Sequence, residues 1–376
     1  MKYRQEPVPQ SHLIALALLS LLVFVFAEHT ADNIQQPRYR LKMKAAQAVV
    51  RAQDAMKEEV TKRGLRVDER NDPWHSGLIG EERTVVTSDR GVSAAKILAT
   101  NPNFSAAFID LLYRTGVRKG DTIAVGLTGS IPGWDVAFYA ACQAMNVTPV
   151  VITSVAASDW GANRPDFTWL DMETLLKQRG IFDFKSVGAS IGGGADIGRG
   201  ISPEGRDLLR AAISRNGVPL IEGETLESII DARMKLYDSL IGGGKYAAYV
   251  NIGGGLASLG GALNSKLIPA GCSRHLREIN YPVRAVINRM GERDIPIINL
   301  SDVAKIADRY DLPTIIGADS PEVGQGSLYY SEHYDITWTA VLTALLGLII
   351  FAVIRLDMKH YLGRRPRMLK ERPEAI

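Results

Sequence analysis

From Ile336 to Ile354, nineteen consecutive residues carry no charge, and seven cations follow within eighteen residues: Arg355, Lys359, Arg364, Arg365, Arg367, Lys370 and Arg372. At a rise of about 1.5 Å per residue, a helix of that length spans a hydrocarbon core about 30 Å thick. Trp338 stands near its outer edge, where an aromatic ring suits the membrane interface. None of the 20 residues before the stretch is Lys or Arg. The positive-inside rule therefore places the C-terminus in the cytoplasm.

A second apolar run, Leu13 to Ala27, is interrupted only by Ser20. It reads either as an uncleaved anchor or as a signal peptide ending at the small-residue site Val25-Phe26-Ala27. Taken as an anchor, it puts both termini in the cytoplasm and residues 28–335 on the outer face. Arg38, Arg40, Lys42 and Lys44 argue for the opposite orientation, but they begin 11 residues past Ala27. A long domain translocates largely regardless of its charge, so the second span decides. The expected organisation is a tail at 1–12, a span at 13–29 and a juxtamembrane helix with connector at 30–79. An α/β domain at 80–330, a span at 336–354 and a basic tail at 355–376 complete it.

This partition separates the charge. The net +3 of the chain divides into +1 on the first tail, +4 on the last and about −2 between them. The outer domain thus has no electrostatic basis for binding nucleic acid. The basic tail reads as a contact with anionic lipid. Two cysteines, Cys142 and Cys272, exclude a disulfide framework; they are two buried thiols or one bridge.

Tyr39-to-Arg63 composition predicts a helix, with Gly64 at its C′ position. A short strand is expected at Thr84–Thr87, and Asn103 as the cap of a helix over 104–115. Strand 122–127, the turn Thr128 to Gly133, helix 134–145 and strand 148–154 form a βαβ unit, which implies a right-handed crossover and parallel strands. The alternation continues with strands at 187–191, 218–221, 247–252 and 296–300. Helices at 203–215, with Ser202 as cap, 226–240 and 302–311 lie among them. The expected fold class is α/β: a mostly parallel sheet with helices on both faces, a Rossmann-like three-layer sandwich, flanked by an N-terminal and a C-terminal transmembrane helix.

Three strands end in small-residue loops: Thr128-Gly129-Ser130, Gly192-Gly193-Gly194-Ala195-Asp196, and Asn251-Ile252-Gly253-Gly254-Gly255. Ligands bind beyond the carboxyl ends of parallel strands, and glycines there let backbone N–H groups approach an anion. Thr128, Gly129, Ser130, Gly192, Gly193, Gly194, Asp196, Asn251, Gly253 and Gly254 are therefore candidate anion contacts. Asp196 is a polar anchor of that site or a helix N-cap. No loop matches a dinucleotide fingerprint or a Walker A sequence, and no histidine cluster suggests a metal, so no cofactor is expected. Ser130 follows a strand as a nucleophile would, but the G-x-S-x-G elbow is absent. His29, His75, His275 and His333 supply no evident base for it. His275 near Cys272 reads as structural.

Several stretches carry a family resemblance. They are Gly80-Glu81-Glu82-Arg83-Thr84, Ala95-Lys96 through Thr100-Asn101-Pro102-Asn103-Phe104, Lys119-Gly120-Asp121 with the 126–133 loop, and the block from Trp160-Gly161-Ala162-Asn163-Arg164 to Trp169-Leu170-Asp171-Met172-Glu173. Over about residues 75–330 the chain resembles the poly-gamma-glutamate system protein family, bacterial membrane proteins associated with the machinery that makes and exports poly-γ-glutamate. The resemblance implies partners: the polymer, its ligase and a small membrane subunit of the same system. It supplies no active site. Arg164 and Arg199 join the candidates for holding the polymer's carboxylates, against the alternative of solvated surface residues. The expected function is an accessory component whose outer domain binds or guides the polyanion. The alternative is an outer hydrolase or transferase acting on γ-glutamyl amide bonds, with Ser130 and Asp196 in its site. The block 160–173 is a functional loop or a turn, Asn163 to Asp166, sealed on the core by Phe167 and Trp169.

Overall fold

The structure is a computed structural model that describes residues 10–29, 32–65, 67–277, 280–317 and 319–363. Lys2, Arg4, Arg364, Arg365, Arg367, Lys370 and Arg372, which carry most of the orientation argument, lie outside those residues. The chain divides into two units, residues 1–35 with 330–376, and residues 36–329.

The first unit pairs the chain's ends. Asp32–Gln35 runs antiparallel to Tyr330–His333, with Asp32 opposite His333 and Gln35 opposite Tyr330. Two helices, Gln10–His29 and Ile336–Gly363, flank this ribbon in sequence and touch each other. Ile336–Arg355 has a mean hydropathy of 2.3 and none of its residues is fully buried; it is long and apolar enough to cross a membrane by length and composition. Leu13–His29 is a shorter apolar helix. Leu22, Phe24, Leu348 and Phe351 project from these helices with more than half their surface exposed. Side chains of that size in such a continuous array mark a surface made for an apolar partner or lipid.

The second unit begins with helix α1 (Tyr39–Lys62), closed by Gly64 at φ +64°. Ala45, Val49, Ala52, Met56 and Val60 recur on one face and are buried. Helices α2 (Ser93–Ala99) and α3 (Phe104–Arg114) follow, then β1 (Thr122–Thr128), α4 (Pro132–Met145) and β2 (Thr148–Ser154). α1 and α3 pack on α4, where Phe104 and Phe108 meet Trp134 edge-on at 5.3 and 5.5 Å. Onward, the chain forms α5 (Trp169–Gln178), β3 (Gly188–Ser190), α6 (Pro203–Arg215), α7 (Leu226–Ile241), β4 (Tyr249–Ile252), α8 (Leu256–Leu259) and α9 (Gly261–Leu267). It closes with β5 (Gly271–Ser273), α10 (Val286–Gly291), β6 (Ile297–Leu300) and α11 (Val303–Arg309).

These strands form one six-stranded sheet in the order β5-β6-β4-β1-β2-β3, parallel except for β5 on its edge. On one face Ala124, Ile152, Tyr249 and Ile297 pack with α7, α8 and α10. The alternate residues Ile123, Val125 and Val151 are equally buried, as strands covered on both sides require. Each fully buried Val, Ile or Leu of these layers contributes roughly 1.5–3 kcal/mol. The expected mixed α/β architecture with a mostly parallel sheet is therefore present.

Several elements differ from expectation, each for a local reason. The strand expected at Thr84–Thr87 lies at Thr87–Asp89, because the Thr84 N–H donates to Thr87 Oγ1 at 2.8 Å and folds 84–86 into a turn. Residues 218–221 contribute only a bridge between Leu220 and Ala189: Pro219 has no N–H to offer a ladder. Asn103 precedes α3 without capping it. Its Oδ1 accepts from the Tyr329 hydroxyl at 2.8 Å and its Nδ2 donates to Glu322 O at 2.8 Å. Phe167 and Trp169 are buried, and the turn at Pro165-Asp166 joins two short antiparallel strands before α5. Both cysteines are free thiols, Cys142 buried and Cys272 half-buried.

Asn103 thus ties the returning 322–329 segment to α3. Asn103→Ala should cost about 2–3 kcal/mol, since it leaves buried donors and acceptors unpaired. Urea unfolding of the detergent-solubilised chain, followed by tryptophan fluorescence, measures this; a change under 0.5 kcal/mol would refute the assignment.

Candidate functional site

β1 leads outward to β2 and β3 on one side, while β4 and β6 are laid down on the other. Between β1 and β4 the winding reverses. Loops leaving the carboxyl ends of such strands diverge and open a crevice. A cleft of about 690 Å³ lies there, and all three glycine loops contribute to it. Thr128 and Ser130 line it from β1, Gly193, Gly194, Asp196 and Arg199 from the β3 loop, and Gly254 from the β4 loop. A second cleft of about 710 Å³, around His275, Arg277 and Asp294, has no strand end in its walls.

Five other candidates stand outside the cleft lining. Gly129 donates its N–H to Ser154 O at 3.1 Å and accepts from Ala162 N at 2.8 Å. Asn251 is buried in β4, where its Nδ2 donates to Gly253 O at 2.8 Å and folds the loop back on the strand. Gly253 sits at φ +92°, and a Cβ there would collide with the Thr128 hydroxyl, so only glycine lets these two loops meet. Gly192, at φ +87°, starts the β3 loop behind the lining. Arg164 is nearly buried in the 163–168 hairpin and pairs with Glu81 at 2.8 Å, so it is a structural cation rather than part of the cleft.

The β3 loop is unusual in its backbone. After Gly192 and Gly193, Ala195 and Asp196 also adopt positive φ, +53° and +61°. Such residues cost on the order of 1 kcal/mol or more each and persist only when their surroundings hold them. A buried network does so. Asp196 Oδ1 accepts from Ser154 Oγ at 2.7 Å, and Oδ2 accepts from Ser190 Oγ at 2.7 Å and Arg233 Nη2 at 2.8 Å. Arg233 reaches these groups from α7, and both side chains of the ion pair are about 1% exposed. No helix starts at Asp196, so the N-cap alternative gives way to the polar anchor. Among the described residues, Arg233 Nε and Nη1 have no hydrogen-bond partner. A buried pair satisfied this incompletely contributes little net stability, and its consequence is to fix the loop.

Lys96 completes the cleft, and sequence reasoning did not select it. It lies on α2 and is 6% exposed, beside the buried Ile97 and Leu98. Its Nζ donates to Ser130 O and to Ser158 Oγ, the latter at 2.7 Å. Ser158 belongs to the two-residue strand Ala157–Ser158, which pairs with Thr87–Asp89, and it lines the cleft. Burial lowers the Lys96 pKa to about 8, against the upward pull of Asp135 and Asp159. Asp159 is itself held by Arg83 at 3.0 Å. Asp135 is fully buried on α4, and burial raises its pKa well above the carboxylate range, with a further contribution from Glu173. A lysine amid apolar residues on a short helix is the signal that could have been read.

Chemically, the cleft is lined by loop glycines, the cations Arg90 and Arg199, the buried Lys96, and the hydroxyls of Thr128, Ser130 and Ser158. Against these stand Asp89, Asp302 and the neutralised Asp196. No group of three His, Cys, Asp or Glu suited to a metal ion occurs among the described residues. Such a surface suits a carboxylate flanked by amides.

Asp196→Ala strands a buried guanidinium and should cost about 3–5 kcal/mol in urea unfolding, most of it recovered in Asp196→Ala/Arg233→Met. If the single variant lost under 1 kcal/mol, the loop would not depend on the pair. Lys96 gives a pH signature. Between about pH 8 and its ordinary 10.5, the unfolded chain holds a proton that the folded chain has released, so stability rises with pH across that window. The rise amounts to about 3 kcal/mol, and Lys96→Met should remove it from unfolding curves taken at successive pH values.

No protein family, curated protein or solved structure matches the chain.

Proposed function

We propose that this chain is a membrane-anchored accessory component of poly-γ-glutamate synthesis or export. Both apolar helices span the membrane, both termini are cytoplasmic, and the α/β unit faces outward, where it binds or guides the polymer. Membrane lipid, the polymer's ligase and its small membrane subunit are the expected partners. The cleft at the sheet's switch point carries this reading: its glycine loops, its hydroxyls and the cations Arg90 and Arg199 suit a ligand made of carboxylates and amides. Further support comes from the apolar helix Ile336–Arg355 and from the sequence resemblance over 75–330.

A polyanion held by few cations binds in a salt-dependent way. The detergent-solubilised chain should therefore bind defined poly-γ-glutamate saturably, and more weakly as salt rises. Arg90→Ala/Arg199→Ala should lower the affinity about tenfold or more, each lost charged contact being worth roughly 1 kcal/mol. Binding equal to that of a neutral polyamide would contradict the proposal. In spheroplasts, an impermeant reagent should reach a cysteine introduced at Arg199 and not one at Arg372; the reverse pattern would contradict the orientation.

A further inference from the structure

We propose that Ser158 and Lys96 form a nucleophile–base dyad, making the cleft an acyl hydrolase site for an anionic amide. That substrate class rests on the carboxylate-binding reading above; the dyad stands on its own geometry. Ser158 Oγ lies 2.7 Å from Lys96 Nζ, and Ser158 is half-buried with its face in the cleft. The ammonium is further located by Ser130 O. Ser130 Oγ accepts the Ser158 N–H at 3.1 Å, which leaves the Ser130 hydroxyl proton to donate. Ser130, a candidate only in the alternative hydrolase reading of the sequence, is thus the neighbour that positions a nucleophile.

A serine hydroxyl attacks a carbonyl only when a base accepts its proton, and a lysine does so when burial leaves a neutral fraction near working pH. Charged groups around Lys96 bear on that fraction: Asp135 from α4, Asp159 with its partner Arg83, and Asp89 and Arg90 in the cleft wall. In the reaction, neutral Lys96 takes the Ser158 proton as Oγ bonds to the amide carbon. The carbonyl π pair moves to oxygen beside the new ammonium and the Ser130 hydroxyl. Collapse re-forms the carbonyl and breaks the C–N bond, and the departing amine takes the proton from Lys96. Water then attacks the Ser158 ester and gives its proton to Lys96. The ester C–O bond breaks, and the proton returns to Ser158 Oγ. One amide and one water become one acid and one amine.

The test is covalent labelling of the full chain in detergent with a fluorophosphonate, localised by peptide mass spectrometry. The expected adduct is on Ser158 alone, forming about tenfold faster at pH 8 than at pH 6.5 as Lys96 loses its proton. Lys96→Met should slow it by about 100-fold or more, and Ser158→Ala should abolish it. The wild-type pH profile needs no variant to fold. An adduct on Ser130, no adduct at any pH, or a rate flat with pH would overturn the dyad. Poly-γ-glutamate binding is measured on the same sample. Binding without an adduct overturns the dyad and leaves the accessory reading. An adduct without binding sustains the dyad and overturns the anionic substrate class.

Discussion

The buried pair between Asp196 and Arg233 is the constraint on which the cleft depends. It joins a residue forced into left-handed backbone to a helix under the sheet, through two serines that end β2 and β3. Remove either charge and the other is left in a medium where an unpaired ion costs several kcal/mol. That penalty holds the loop in which Gly193 and Gly194 line the cleft. The same pair neutralises Asp196 in the cleft lining, so the cleft's exposed positive charge lies on Arg90 and Arg199.

The sheet order supplies the remainder. Because β4 returns on the opposite side of β1 from β2, the loops after β1 and β4 part from each other. Gly253 nevertheless brings the β4 loop against Thr128, which narrows the crevice at its base. Ala157–Ser158 and Thr87–Asp89 add a small parallel pair that brings Ser158 into the cleft lining. Lys96 approaches from α2, and its lowered pKa follows from its burial.

Much of this was legible in the residues, where local chemistry and tertiary context agree. The β1–α4–β2 unit announces itself through β-branched runs separated by Gly, Pro and a helix, and Ser202 with Pro203 marks the start of α6: Ser202 Oγ accepts from Gly205 N at 3.1 Å. The glycine loops pointed to the cleft because they end parallel strands. What escaped was decided by partners distant in sequence. Asn103 looks like a cap and instead serves Tyr329, more than two hundred residues away. Arg164 looks like a surface cation and is held by Glu81. Lys96 reads as one more helical lysine until Ser158, 62 residues on, is placed beside it.

The central claim is that a carboxylate ligand occupies the crevice at the switch point, and amide hydrogen exchange of the full chain with and without poly-γ-glutamate tests it most directly. The account predicts slowed exchange in the segments 128–131, 193–199 and 253–256, with the rest of the sheet unchanged. Protection confined to the 275–294 region, or none anywhere while the polymer is bound, would contradict it.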